Sequence, residues 1–168
     1  AVWDAAGEGR WSEALFDAAV GCIEERETGD PRQVCQNPAV YLLEYQDGLQ
    51  TATFLLNGYT RGWAFAAEQR DGDIQGCELF LGGDPHPHFS YLSLNAQRMF
   101  VTGEAVYPVE RTLLVSGVLE ALLDSRHRGH IPVETPHLDV AYRSYEEPPV
   151  RPEGGRPQGA ATEPFRPE

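Results

Sequence analysis

The sequence contains no lysine. All 13 basic residues are arginines, set against 26 acidic residues for a net charge of −13 at neutral pH. Without lysine the chain has no Schiff-base amine, no ammonium to sit under a nucleotide phosphate, and no lysine acting as acid or base. The acidic surplus argues against nucleic acid as a partner, because that association is driven by clustered cations neutralising phosphates. An anionic membrane surface is disfavoured for the same reason. Long apolar runs are also missing, and nothing approaches the ~20 residues that span a bilayer. The start, Ala1-Val2-Trp3-Asp4, has neither the basic region nor the apolar segment of a signal peptide, and no initiator methionine, so a processed or excised piece is expected. Cysteine is sparse: Cys22, Cys35 and Cys77 are odd in number and fit neither a disulfide framework nor a paired metal knuckle. Reduced thiols and a cytoplasmic location are the expectation.

Apolar residues make up 41 % of the chain and charged residues 23 %, which suits a globular core. The last 23 residues, 146–168, hold six prolines, three glycines and only Val150 and Phe165 as large apolar side chains. Such a stretch buries too little surface to offset its ordering entropy, so a disordered tail follows a domain spanning 1–145. The tail carries five acids and three arginines, so the acidity belongs mainly to the domain.

Within that domain, Trp11 to Val20 reads as a helix with Ser12 as N-cap and Leu15, Ala18 and Ala19 on one face. A polar loop follows, with its sharpest turn at Asp30-Pro31. The period then changes to that of strands. Residues 39–45 and 50–56 flank Asp47-Gly48, a hairpin signal; residues 62–68 and 77–81 flank a second Asp-Gly at 71–72. A meander of about four antiparallel strands is expected. Phe89 to Phe100 has apolar residues at helical spacing, ending near Gly103. Residues 108–123, opened by Pro108 and closed by Arg126-His127-Arg128-Gly129, form the longest and most apolar helix, expected to lie across the sheet. Val133 and Leu138 to Tyr142 complete the pattern as an edge strand. The fold class is therefore α+β, with an open, mostly antiparallel sheet and helices mainly on one face.

The strings Tyr107-Pro108-Val109-Glu110-Arg111-Thr112-Leu113-Leu114, Ser125-Arg126-His127 and Glu134-Thr135-Pro136-His137-Leu138 resemble the C-terminal end of Gfo/Idh/MocA-type oxidoreductases. Asp4 to Arg10, Asn37-Pro38-Ala39-Val40 and Tyr45-Gln46-Asp47-Gly48-Leu49 fit the same likeness, which covers about residues 1–143. The resemblance implies a two-part enzyme. An N-terminal Rossmann domain binds NAD(P) and carries a Glu-Lys-Pro motif, while a C-terminal α/β domain supplies substrate contacts and an oligomer interface. This chain resembles only the second part. It has no Gly-x-Gly-x-x-Gly after a strand, and without lysine the Glu-Lys-Pro motif is impossible. NAD(P) thus enters only through a Rossmann partner domain, and the chain alone is not redox-active.

Several residues carry chemistry worth weighing. His137 beside Glu134 could take a proton from a sugar hydroxyl as a catalytic pair, or could simply form a capped turn. Arg111 could clamp an anionic substrate or sit in a structural ion pair. Among the strand aromatics Tyr41, Tyr45, Phe54, Trp63 and Phe65, Trp63 and Tyr41 are candidates to stack on a sugar-like substrate, although alternation sends half of the set to the core. His86 and His88, with Asp84, are weak candidates for a metal ion, lacking an adjacent third strong ligand. No nucleophile elbow surrounds any serine. Two principal readings result: a substrate-binding and oligomerisation domain of an oxidoreductase, and a stand-alone binding or scaffolding protein assembling as a homo-oligomer through its open sheet face. A metal-dependent lyase or isomerase is a third.

Overall fold

Each Asp-Gly pair builds a hairpin by the same local chemistry. In the first, the Gly48 N–H donates to Tyr45 O, the Tyr45 N–H donates to Leu49 O, and the Asp47 carboxylate accepts from the Leu49 N–H at 3.0 Å. In the second, Gly72, Gln69, Asp73 and Asp71 repeat that set of bonds. Gly48 and Gly72 sit at φ +88° and +87°, in the left-handed region that L side chains enter only at a cost. The turn is thus a three-residue loop with glycine in the left-handed position, a longer variant than the two-residue turn that Asp-Gly most often marks.

The computed structural model describes residues 2–79, 86 and 88–143, and the chain divides into two compact units, residues 1–80 and 81–168. The first unit contains α1 (Asp4–Gly7), α2 (Glu13–Cys22), α3 (Pro31–Val34), β1 (Ala39–Glu44), β2 (Gln50–Leu55), β3 (Ala64–Glu68) and β4 (Ile74–Glu78). The class is α+β with open antiparallel strands. The expected single meander is divided, however: β1 pairs only with β2, and β3 only with β4. The chain leaves β2 after Leu55 and reaches β3 at Ala64. Between them Thr60 bridges to Arg26 instead of continuing a ladder, and the Thr60 hydroxyl donates to Glu25 O at 2.8 Å. The 24–37 loop is tied down there too, through Glu27 N–H to Tyr59 O and Gln36 N–H to Asn57 O, both 2.8 Å.

Helix α2 joins the two hairpins. The Ser12 side chain caps it by accepting from the Leu15 N–H at 3.3 Å. Leu15, Ala18 and Ala19 are half-buried as expected, but the most enclosed side chain of α2 is Phe16, 5 % exposed. Phe16 and Val20 face the first hairpin, where Val40↔Phe54 and Leu42↔Ala52 are cross-strand pairs. Phe16 and Phe54 meet Trp3 and Trp11 in one cluster whose six ring pairs all lie between 4.9 and 6.4 Å. The buried indole of Trp11 is satisfied by donating to Val2 O at 3.0 Å. Ala18 and Cys22 face the second hairpin. On its inner face, beside Ile74 and Glu78, lie the small residues Ala64, Ala66 and Gly76, and at Gly76 the helix comes close. A Cβ on Gly76 would lie 2.9 Å from Cys22 Sγ and 3.0 Å from Ala18 O, a backbone atom that cannot swing aside.

The second unit contains α4 (His88–Thr102), α5 (Val109–His127) and a 3-10 turn (Pro136–Leu138). Pro108 is the N-cap of α5, one residue outside the expected N1 position, and Gly129 ends the helix region at φ +86°. The edge strand expected from Val133 and from Leu138 to Tyr142 does not form. The proline at 136 forces a 3-10 turn, and Leu138 is buried against Gly117 of α5, a contact that spends the segment's apolar side chain on a helix. The helical spacing of Phe89, Leu92, Ala96, Met99 and Phe100 falls within α4, where Phe89, Leu92 and Phe100 are exposed. The boundary at residue 145 and the proline-rich tail lie outside the described residues.

Two substitutions test this packing. Phe54→Ala removes the ring common to the cluster's two closest contacts and should cost about 3–5 kcal/mol in urea unfolding. Gly76→Ala should cost about 1–3 kcal/mol by the same measurement, because α2 must move off β4. An unchanged midpoint for either variant contradicts the arrangement.

Candidate functional site

The outer faces of the two hairpins are what the buried faces leave over. Strand alternation sends Phe54 inward, and places Tyr41 outward in the pair Tyr41↔Thr53, where it is half-buried. On the second hairpin the pairs Ala64↔Glu78 and Ala66↔Gly76 face α2, so Phe65↔Cys77 faces outward. Trp63 and Leu79 extend that row, joined by the Leu79 N–H donating to Trp63 O at 2.6 Å. Trp63 is 64 % exposed, Phe65 57 % and Leu79 51 %, and the Cys77 thiol lies between them in the open. These four neutral side chains make a row of exposed apolar surface. Of the five strand aromatics, alternation alone does not say which face each takes; the cross-strand register places Phe54 inward and Tyr41 and Phe65 outward. Cys77 and Leu79 were missed, because their membership depends on the cross-strand register.

Glu134 and His137 flank the start of the 3-10 turn in the second unit. Both are exposed, and no hydrogen bond or ion pair joins them among the described residues. The neighbouring Leu138 is the residue that anchors the segment. Arg111, in the first turn of α5, is half-buried with its guanidinium 4.8 Å from the centre of the Tyr107 ring. A cation–π contact thus takes the place of the ion pair that was the alternative to an anion clamp. His86 and His88 lie with ring centres 5.8 Å apart at 68°, and both meet Phe89, His86 edge-on at 6.3 Å and His88 tilted at 4.5 Å. Asp84, which would join them, lies outside the described residues, and no group of three or more metal-type side chains occurs among the described ones. Trp63 and Tyr41 belong to the first unit, Arg111, Glu134, His137, His86 and His88 to the second.

One open depression of about 600 Å³ lies in the first unit, between the end of α2, the loop through Gly29, and Tyr59. None of the candidate residues lines it. Its one cation, Arg26, donates to the carbonyls of Val20, Gly21 and Ile23, closing the C-terminal end of α2 where a positive charge is favoured. Ion pairs elsewhere in this unit hold structure: Arg32 binds Glu13 and lies 5.9 Å from the centre of the Trp3 ring. Near it, burial and then the Asp30 carboxylate raise the Cys35 thiol above its ordinary range. Among the described residues no helix is long and apolar enough to cross a membrane.

These placements have measurable consequences. His137→Ala should leave the unfolding midpoint within about 0.5 kcal/mol of the parent, as befits an exposed side chain without partners, while Leu138→Ala should cost about 2–5 kcal/mol. Alkylation followed by mass spectrometry should modify Cys77 before Cys35. In a chain with Cys35 as its only cysteine, the alkylation rate should still be climbing where an ordinary thiol has levelled off. Asp30→Asn, which keeps the side-chain cap on the Arg32 N–H, should shift that rise to lower pH because a negative neighbour is gone.

Comparison of the chain with protein-family models, with curated proteins and with solved structures gave no match.

Proposed function

We propose that this chain is a binding and assembly module that pairs with a second copy of itself through the outer face of the β3–β4 hairpin, and that it performs no redox step alone. The patch of Trp63, Phe65, Cys77 and Leu79 carries this reading: it is apolar and uncharged, with Phe65 and Cys77 paired across the strands and Trp63 and Leu79 just beyond their ends. A patch of this kind, repeated by a two-fold axis, supplies the self-complementary centre that an isologous interface requires. The reading agrees with the Gfo/Idh/MocA resemblance, in which the C-terminal domain assembles and meets a small, sugar-like substrate. NAD(P) and hydride transfer then belong to a Rossmann domain that this sequence does not contain. A stand-alone scaffold is the second reading, favoured by the exposure of Glu134 and His137, which leaves them without the enclosure that proton transfer to a substrate uses.

Light scattering on the eluting protein decides the assembly claim. The chain should elute at twice its 18.6 kDa mass, and added salt should strengthen the pairing by screening two copies that each carry a net charge of −13. The double variant Trp63→Ser, Phe65→Ser should elute as a folded monomer. A parent protein that is monomeric at every concentration overturns the proposal. Calorimetry with NAD(H) should give no saturable heat, and tight binding by this chain alone contradicts the absence of a nucleotide site.

A further inference from the structure

We draw no further inference here: the strongest candidate, the apolar outer face of α5 formed by Val109, Leu113, Val115, Leu119 and Leu123, carries nothing because nothing in the structure shows what covers it.

Discussion

Contact between Phe16 and Phe54, 4.9 Å from centre to centre, is the interaction on which the first unit depends. Phe16 belongs to a helix and Phe54 to a strand, and the tryptophans at 3 and 11 close around both. Among the described residues of this unit the buried set is Trp11, Phe16, Ala5, Ile23 and Tyr59, with Trp3 and Phe54 half-buried against it. With so small a core, each aromatic contact weighs heavily. Edge-to-face pairs of this kind add about 0.5–1.5 kcal/mol each beyond the area they bury.

Helix α2 has two working faces, and that duality explains the divided sheet. Its bulky face, Phe16 and Val20, is matched to large residues on β1 and β2. Its small face, Ala18 and Cys22, is matched to Gly76, so the helix lies close against β3 and β4. A single flat sheet would have to offer both surfaces side by side at one distance from the helix. Two hairpins resolve the mismatch, with the Thr60–Arg26 bridge taking the place of a β2–β3 ladder. Among the described residues this leaves four strand edges without a ladder partner. The face bearing Trp63 and Phe65 is the one for which a binding role is proposed.

Elements governed by local chemistry were legible in the sequence. Ser12 marked the start of α2, the two Asp-Gly pairs marked both hairpins, and Gly103 and Gly129 marked helix ends. What escaped depends on partners distant in the chain. Trp3 and Trp11 precede any periodic segment, so nothing local announces them as core. The short helix at Pro31–Val34 looked like a turn because Asp30-Pro31 serves equally as an N-cap followed by a proline at N1. Leu138 to Tyr142 had strand composition without a strand to pair with. Candidate residues fared by the same rule: alternation sends part of the aromatic set inward without saying which part, and no sequence pattern could say that Arg111 would rest on Tyr107 or that Glu134 and His137 would remain exposed.

If α2 is the shared wall, damage to the aromatic cluster must be felt by a hairpin that never touches it. Native-state hydrogen exchange on Phe54→Ala tests this directly. The account predicts that amides of α2 and of the β3–β4 ladder lose protection together, by the same free energy, although residue 54 lies in the other sheet. Loss of protection confined to β1 and β2, with β3–β4 unchanged, would contradict it.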